Sequence, residues 1–159
     1  MLAIIPQSLV EFIGDSLPPY AILSHTWGLE EITTRELRNG GFGTLVGFVK
    51  LQALCDQTRR DGFQFTWIDT CCIDRSGSAK LSESLNSMYQ WYSKAEMCYV
   101  HLSDIHNAEG EEIDLARAFG RSRWFTRSWT LPELLAPHLI NLVTSNTRIC
   151  LSAQDWAPS

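Results

Sequence analysis

Four short apolar runs, interleaved with stretches of helical periodicity, restrict most strongly what this chain can fold into. Residues 20–25, YAILSH, are almost continuously apolar after Pro18-Pro19, as in a strand covered on both faces. Residues 63–69, FQFTWID, alternate aromatic and polar and read as a second strand. MCYVHLSD (97–104) and LINLVT (139–144) supply the third and fourth. Over 44–60, Leu45, Phe48, Leu51 and Cys55 recur at helical spacing, with Arg59 and Arg60 in the last turn and Asp61-Gly62 as the stop. Leu81, Leu85, Met88, Tyr92 and Ala95 form one apolar stripe on a second helix, which Ser78 or Ser82 is placed to cap. Short helices are expected near 111–120 and over 129–136. Strand and helix alternate, which predicts an α/β chain: a parallel sheet with helices on both faces.

In such sheets ligands bind beyond the carboxyl ends of the strands. The rule selects Ser24 and His25 after the first strand, with Trp27 and Gly28 just beyond. It selects Asp69 after the second, and Ser103 and Asp104 after the third.

The remaining composition narrows the function classes. A chain of 159 residues with 45% hydrophobic content suits one globular domain. A net charge of −5 argues against nucleic acid as the partner. No apolar run approaches the roughly 20 residues that span a bilayer. The N-terminal MLAIIPQSLVEF lacks a basic flank and is interrupted by Pro6 and Glu11, so a cytoplasmic location is expected. Cys55, Cys71, Cys72, Cys98 and Cys150 are odd in number and form no CxxC pair, and the histidines lack zinc-ligand spacing. Neither a disulfide framework nor a metal site is expected.

Several residues carry two readings each. Thr130-Leu131-Pro132-Glu133 has the T-x-x-E spacing of a helix capping box, which needs no catalytic role for Glu133 but does not exclude one, since a cap can also face a cleft. Cys71 and Cys72 are either inert core thiols or a nucleophile served by His25. His25 either bonds neighbouring backbone or contacts a ligand, whereas His101, inside a strand, reads as structural. Arg121, Arg123 and Arg127 either grip a pyrophosphate or form a solvated loop paired with Glu109, Glu111 or Glu112. Tyr89, Trp91 and Tyr92 are expected to pack against the sheet, the alternative being a self-association surface. Gly41-Phe-Gly43 lacks the spacing of a dinucleotide fingerprint.

YAILSHTWG (20–28), WIDTCCID (67–74) and RWFTRSWTLPELLAP (123–137) together resemble the fungal heterokaryon-incompatibility (HET) domain over residues 18–138. The resemblance divides the chain into an N-terminal segment (1–17), the domain (18–145) and a divergent or truncated tail (146–159). It implies a fungal intracellular protein that triggers cell death when incompatible strains fuse. Self-association or other cell-death signalling proteins would be its partners.

The HET domain is in turn similar to the TIR domain, which implies a flavodoxin-like sheet and, in some members, cleavage of NAD as a substrate; no bound cofactor is expected. That similarity places the catalytic glutamate at Glu133. Ser24, His25, Trp27, Gly28, Asp69, Asp104 and Trp129 would bind the substrate, and Trp124 is a further stacking surface. A non-enzymatic signalling module, or a degenerate copy, is the competing expectation. The chain departs from the family pattern at Ser128, where Gly is usual, and at Pro132, where Gln is usual.

Overall fold

The structure, a computed structural model, describes residues 1–5, 8–14, 16–40, 43, 46–105, 120–143 and 148–152. Its strands are β1 (Leu2–Ile5), β2 (Ser8–Glu11), β3 (Tyr20–His25), β4 (Phe65–Ile68), β5 (Met97–His101), β6 (Leu139–Val143) and β7 (Arg148–Ser152). The helices are α1 (Thr34–Asn39), α2 (Val46–Arg60), α3 (Asp69–Cys72), α4 (Ser78–Lys94) and α5 (Thr130–Leu135), with a 3-10 turn at Arg123–Thr126. One seven-stranded sheet runs in the order β2-β1-β4-β3-β5-β6-β7.

The expected parallel strands are its centre: β4, β3, β5 and β6 pair in parallel. Every residue of β3 is buried, as its apolar run required. The sheet is nonetheless mixed. β1 and β2 form an antiparallel hairpin in a segment with no predicted element, and β1 adds to β4 through Ile4 and Thr66. β7 returns antiparallel against β6, within the segment read as a tail. Short connections reverse the chain, so strands added this way need no crossover helix.

Helices cover both faces. Leu23 and its register partner Tyr99 line one recess with Lys50 and Leu54 of α2. On the other face lies Trp67, in register with Ile22; its ring stands 5.5 Å from Trp91 and 5.9 Å from Tyr92 of α4. Two tyrosines latch α4 to β3: Tyr92 donates to the Leu23 carbonyl at 3.1 Å, and Tyr20 donates to the Trp91 carbonyl at 2.5 Å. Tyr89, expected against the sheet with these rings, is exposed instead, because its position on α4 turns it to the opposite side.

The predicted stripe on α4 faces inward, with Met88, Tyr92 and Ala95 buried, but neither serine caps it. Gly77 holds the N-cap position with no side-chain bond. The helix expected near 111–120 falls almost wholly outside the described residues.

Gly47 sets the start of α2. Its N–H bonds the Glu30 carbonyl at 2.9 Å, and a Cβ there would stand 2.4 Å from that same oxygen. Alanine's helix propensity would return only ~1 kcal/mol, against about 1–3 kcal/mol for forcing backbone apart. Gly47→Ala is therefore expected to lower the urea midpoint; an unchanged or raised midpoint would contradict the close approach.

Candidate functional site

The chemistry gathers at the carboxyl ends of β3 and β4. β3 ends in Ser24 and His25, both buried, which alternation sends to opposite faces of the sheet. β4 runs directly into α3, whose first residue is Asp69. The 3-10 turn contributes Trp124, the bend after it Arg127, and α5 Glu133.

The short helix α5 is inverted for a surface helix. It buries Thr130 and leaves Glu133 only 1% exposed, while Leu131 and Leu135 are 62% and 65% exposed. Burying a carboxyl in place of a leucine costs several kcal/mol unless it is paired. Glu133 is paired. Arg127 donates through both guanidinium nitrogens, at 2.8 Å to Oε2 and 3.1 Å to Oε1. Ser24 donates to Oε2 at 2.5 Å and accepts from the Trp124 indole N–H at 2.6 Å.

The capping-box reading of Glu133 does not hold. Thr130 gives its hydroxyl to the Trp124 carbonyl at 2.5 Å, and the N-cap position belongs to Trp129, with no side-chain bond. A reciprocal T-x-x-E box does occur at Thr33 and Glu36, at the start of α1.

Burial pushes the Glu133 carboxyl above the ordinary glutamate range; Arg127 and Ser24 oppose this without reversing it, and Asp69 adds to the rise. Asp69 goes the other way. Burial raises it too, but the hydrogen bond and charge of His25 and the indole N–H of Trp27 hold it below the usual aspartate range. Its partners are His25 Nε2 at 3.0 Å, Trp27 Nε1 at 2.8 Å and the Thr70 N–H at 2.8 Å. An ionised carboxylate only accepts, so Nε2 of His25 carries the proton.

A cavity of about 430 Å³ opens above these groups, and Asp69, Arg127 and Glu133 line it together with Trp27 and Trp129. The two tryptophans are 46% and 43% exposed, so each leaves part of its side chain open to solvent. Arg75 lies over the Trp27 ring, 4.2 Å from its centroid.

Of the residues selected from sequence, Trp27, Asp69, Trp129 and Glu133 share this cavity. Ser24 and His25 stand behind it, holding Glu133 and Asp69. Gly28 lies in an adjoining recess, its N–H bonded to Glu31 at 2.6 Å. Asp104 is not in the cavity wall: it accepts from the Ser122 hydroxyl at 2.8 Å and the Arg123 N–H at 2.7 Å, fixing the entry to the 3-10 turn.

Arg127 was legible only as one of three arginines. Its pairing with Glu133 crosses a bend that has no periodicity to betray it. Arg121 and Arg123 are exposed, and the glutamates proposed to pair with this cluster lie outside the described residues. Cys71 and Cys72 are buried. Burial lifts the Cys71 thiol to about 12 and Cys72 well above the usual thiol value, which removes them as nucleophiles. Among the described residues no cluster of His, Cys, Asp and Glu is arranged to hold a metal, and no helix is long and apolar enough to cross a membrane.

The family model for heterokaryon incompatibility protein (HET) matches residues 20–118, more than half of the chain. The chain belongs to the HET family. The HET domain here is 47% identical over 127 residues to the vegetative incompatibility protein HET-E-1 of Podospora anserina, a match covering 76% of this chain and 9% of that protein. The chain thus spans under a tenth of that relative's length. No solved structure matches it.

Proposed function

We propose that this HET domain acts in fungal incompatibility by cleaving NAD, in the manner of a TIR domain. The observation that carries the reading is a buried, arginine-paired glutamate opening into a cavity walled by two exposed tryptophans. The central strands also run β4-β3-β5-β6, which in order of appearance is second, first, third, fourth, the order of flavodoxin-like sheets.

The chemistry asks little of the protein. The bond between ribose C1′ and the nicotinamide nitrogen breaks, and its electron pair neutralises the pyridinium. Water adds at C1′ and loses a proton, giving nicotinamide and ADP-ribose. The transition state is oxocarbenium-like. A carboxylate beside the sugar stabilises that charge, and Trp27 or Trp129 stacks on a flat ring. Glu133 already accepts three hydrogen bonds from Arg127 and Ser24. A carboxylate has about four acceptor positions, so one remains on Oε1 for a ribose hydroxyl. Arg127 and Ser24 fix its orientation.

Chromatography of NAD incubated with the purified domain tests this. Nicotinamide and ADP-ribose are expected in equal amounts, rising with protein concentration; intact NAD at every concentration contradicts the reading.

The exposed Leu131 and Leu135 favour a second reading, self-association or partner docking through α5. It predicts a sedimentation coefficient that rises with concentration and ceases to do so in Leu131→Ser/Leu135→Ser. A monomer throughout would dismiss it.

A further inference from the structure

A second recess, of about 410 Å³, adjoins the cavity of Glu133, and Thr26 and Trp27 line both. It sits where β3 and β5 lie side by side while the chain leaves them in different directions, the position at which open α/β sheets take their ligands. Its wall differs from that of the first. Lys50 from α2 and Arg123 from the 3-10 turn line it, joined by Gly28, His101 and Ser103. Among the described residues no carboxylate lines the wall. Each cation has a carboxylate partner: Glu31 lies 2.5 Å from Lys50 and also accepts from the Gly28 N–H at 2.6 Å, and Asp104 lies 3.8 Å from Arg123.

His25 and His101 are register partners across β3 and β5 at this end of the sheet. Nδ1 of each is buried and has no hydrogen-bond partner among the described residues. Buried polar atoms are rarely left so, and two side by side mark a place where hydrogen-bonding capacity is unspent.

We propose that this recess is a phosphate-accepting subsite, holding the pyrophosphate of a nucleotide whose ribose reaches Glu133 past Trp27. The assignment rests on the NAD reading for the ribose end, but the recess itself is defined by its own cations. Lys50 and Arg123 supply the charge, the Ser103 hydroxyl a donor, and His101 the unspent imidazole. Arginine and lysine are the side chains that hold phosphate oxygens through charge-assisted bonds. Thr26 and Trp27 line both compartments, so one extended ligand that fills both runs past them.

The test is calorimetric titration of the intact domain with ADP-ribose, inorganic pyrophosphate and adenosine. ADP-ribose and pyrophosphate are expected to bind, and more weakly as salt rises. Each of Lys50→Gln and Arg123→Gln is expected to weaken both by about tenfold while leaving adenosine unaffected. Arg123 is exposed, so its variant folds regardless of the outcome at Lys50. Unchanged ADP-ribose and pyrophosphate affinity in Arg123→Gln, or no binding of either by the wild type, overturns the subsite. Nicotinamide release is scored separately, so a domain that cleaves NAD yet ignores these substitutions refutes the recess alone.

Discussion

Trp124→Ala is expected to lower the melting temperature by roughly 10 °C or more. Trp124 is fully buried, and deleting such a ring costs about 3–5 kcal/mol. In a domain of this size each kcal/mol is worth about 2–4 °C. A second loss adds to the first: the indole N–H that fixes the Ser24 hydroxyl disappears, and Ser24 in turn orients Glu133. Trp124→Phe separates the two effects. It keeps most of the apolar area and removes only the donor, so it should cost about 1–3 kcal/mol. A Trp124→Ala domain that melts within 2 °C of the wild type would contradict the packing described around β3.

Glu133→Gln is expected to reduce NAD turnover on the order of a thousandfold, the scale of losing one aimed electrostatic group in a water-poor site. The same substitution should leave the fold intact. The carboxyl of Glu133 lies above its ordinary range when folded, so this group favours folding in its protonated form. That contribution is present below the unfolded glutamate value and is lost as pH rises through the folded one. At neutral pH the neutral glutamine therefore removes a buried charge that the fold holds through Arg127 and Ser24.

Two pH trends follow. The melting temperature of Glu133→Gln relative to wild type should fall as pH drops from 7 towards the glutamate range. Wild-type turnover should fail in acid at a pH above that expected for an ordinary carboxylate. Asp69 has the opposite sign: its stabilisation is present above the unfolded aspartate value and fades as pH falls through its lowered folded value. Acid melting of the wild type should thus continue after Glu133 has been protonated.

The central sheet was legible in the sequence because its strands are continuous or alternating apolar runs and its two long helices carry full apolar stripes. The hairpin of β1 and β2 was not. Each strand is four residues long, and Pro6 between them reads as an interruption, not a turn. α1 escaped notice for the same reason of length, and Asp69 reads as a strand end although it opens a helix.

The site was legible in its residue types but not in its connections. Position after β3 and β4 selected Ser24, His25, Trp27 and Asp69. Nothing local could show that Ser24 bonds Glu133 across 109 positions, or that His25 grips Asp69 across 44. Glu133 was the hardest. An amphipathic helix would turn its neighbours Leu131 and Leu135 inward, yet both are exposed and only Leu134 packs on the core. That inversion of α5 is the plainest sign that the helix was shaped for something other than stability. Ser128 and Pro132, the departures from the family pattern, flank it: Ser128 lines the cavity, and nothing in the structure explains Pro132 in place of glutamine.

The most direct test is nicotinamide release from NAD at high protein concentration, wild type beside Glu133→Gln, with circular dichroism to establish that both are folded. Release by the wild type and almost none by the folded glutamine variant is the expected result. Equal release by both, or none by a folded and concentrated wild type, would contradict it.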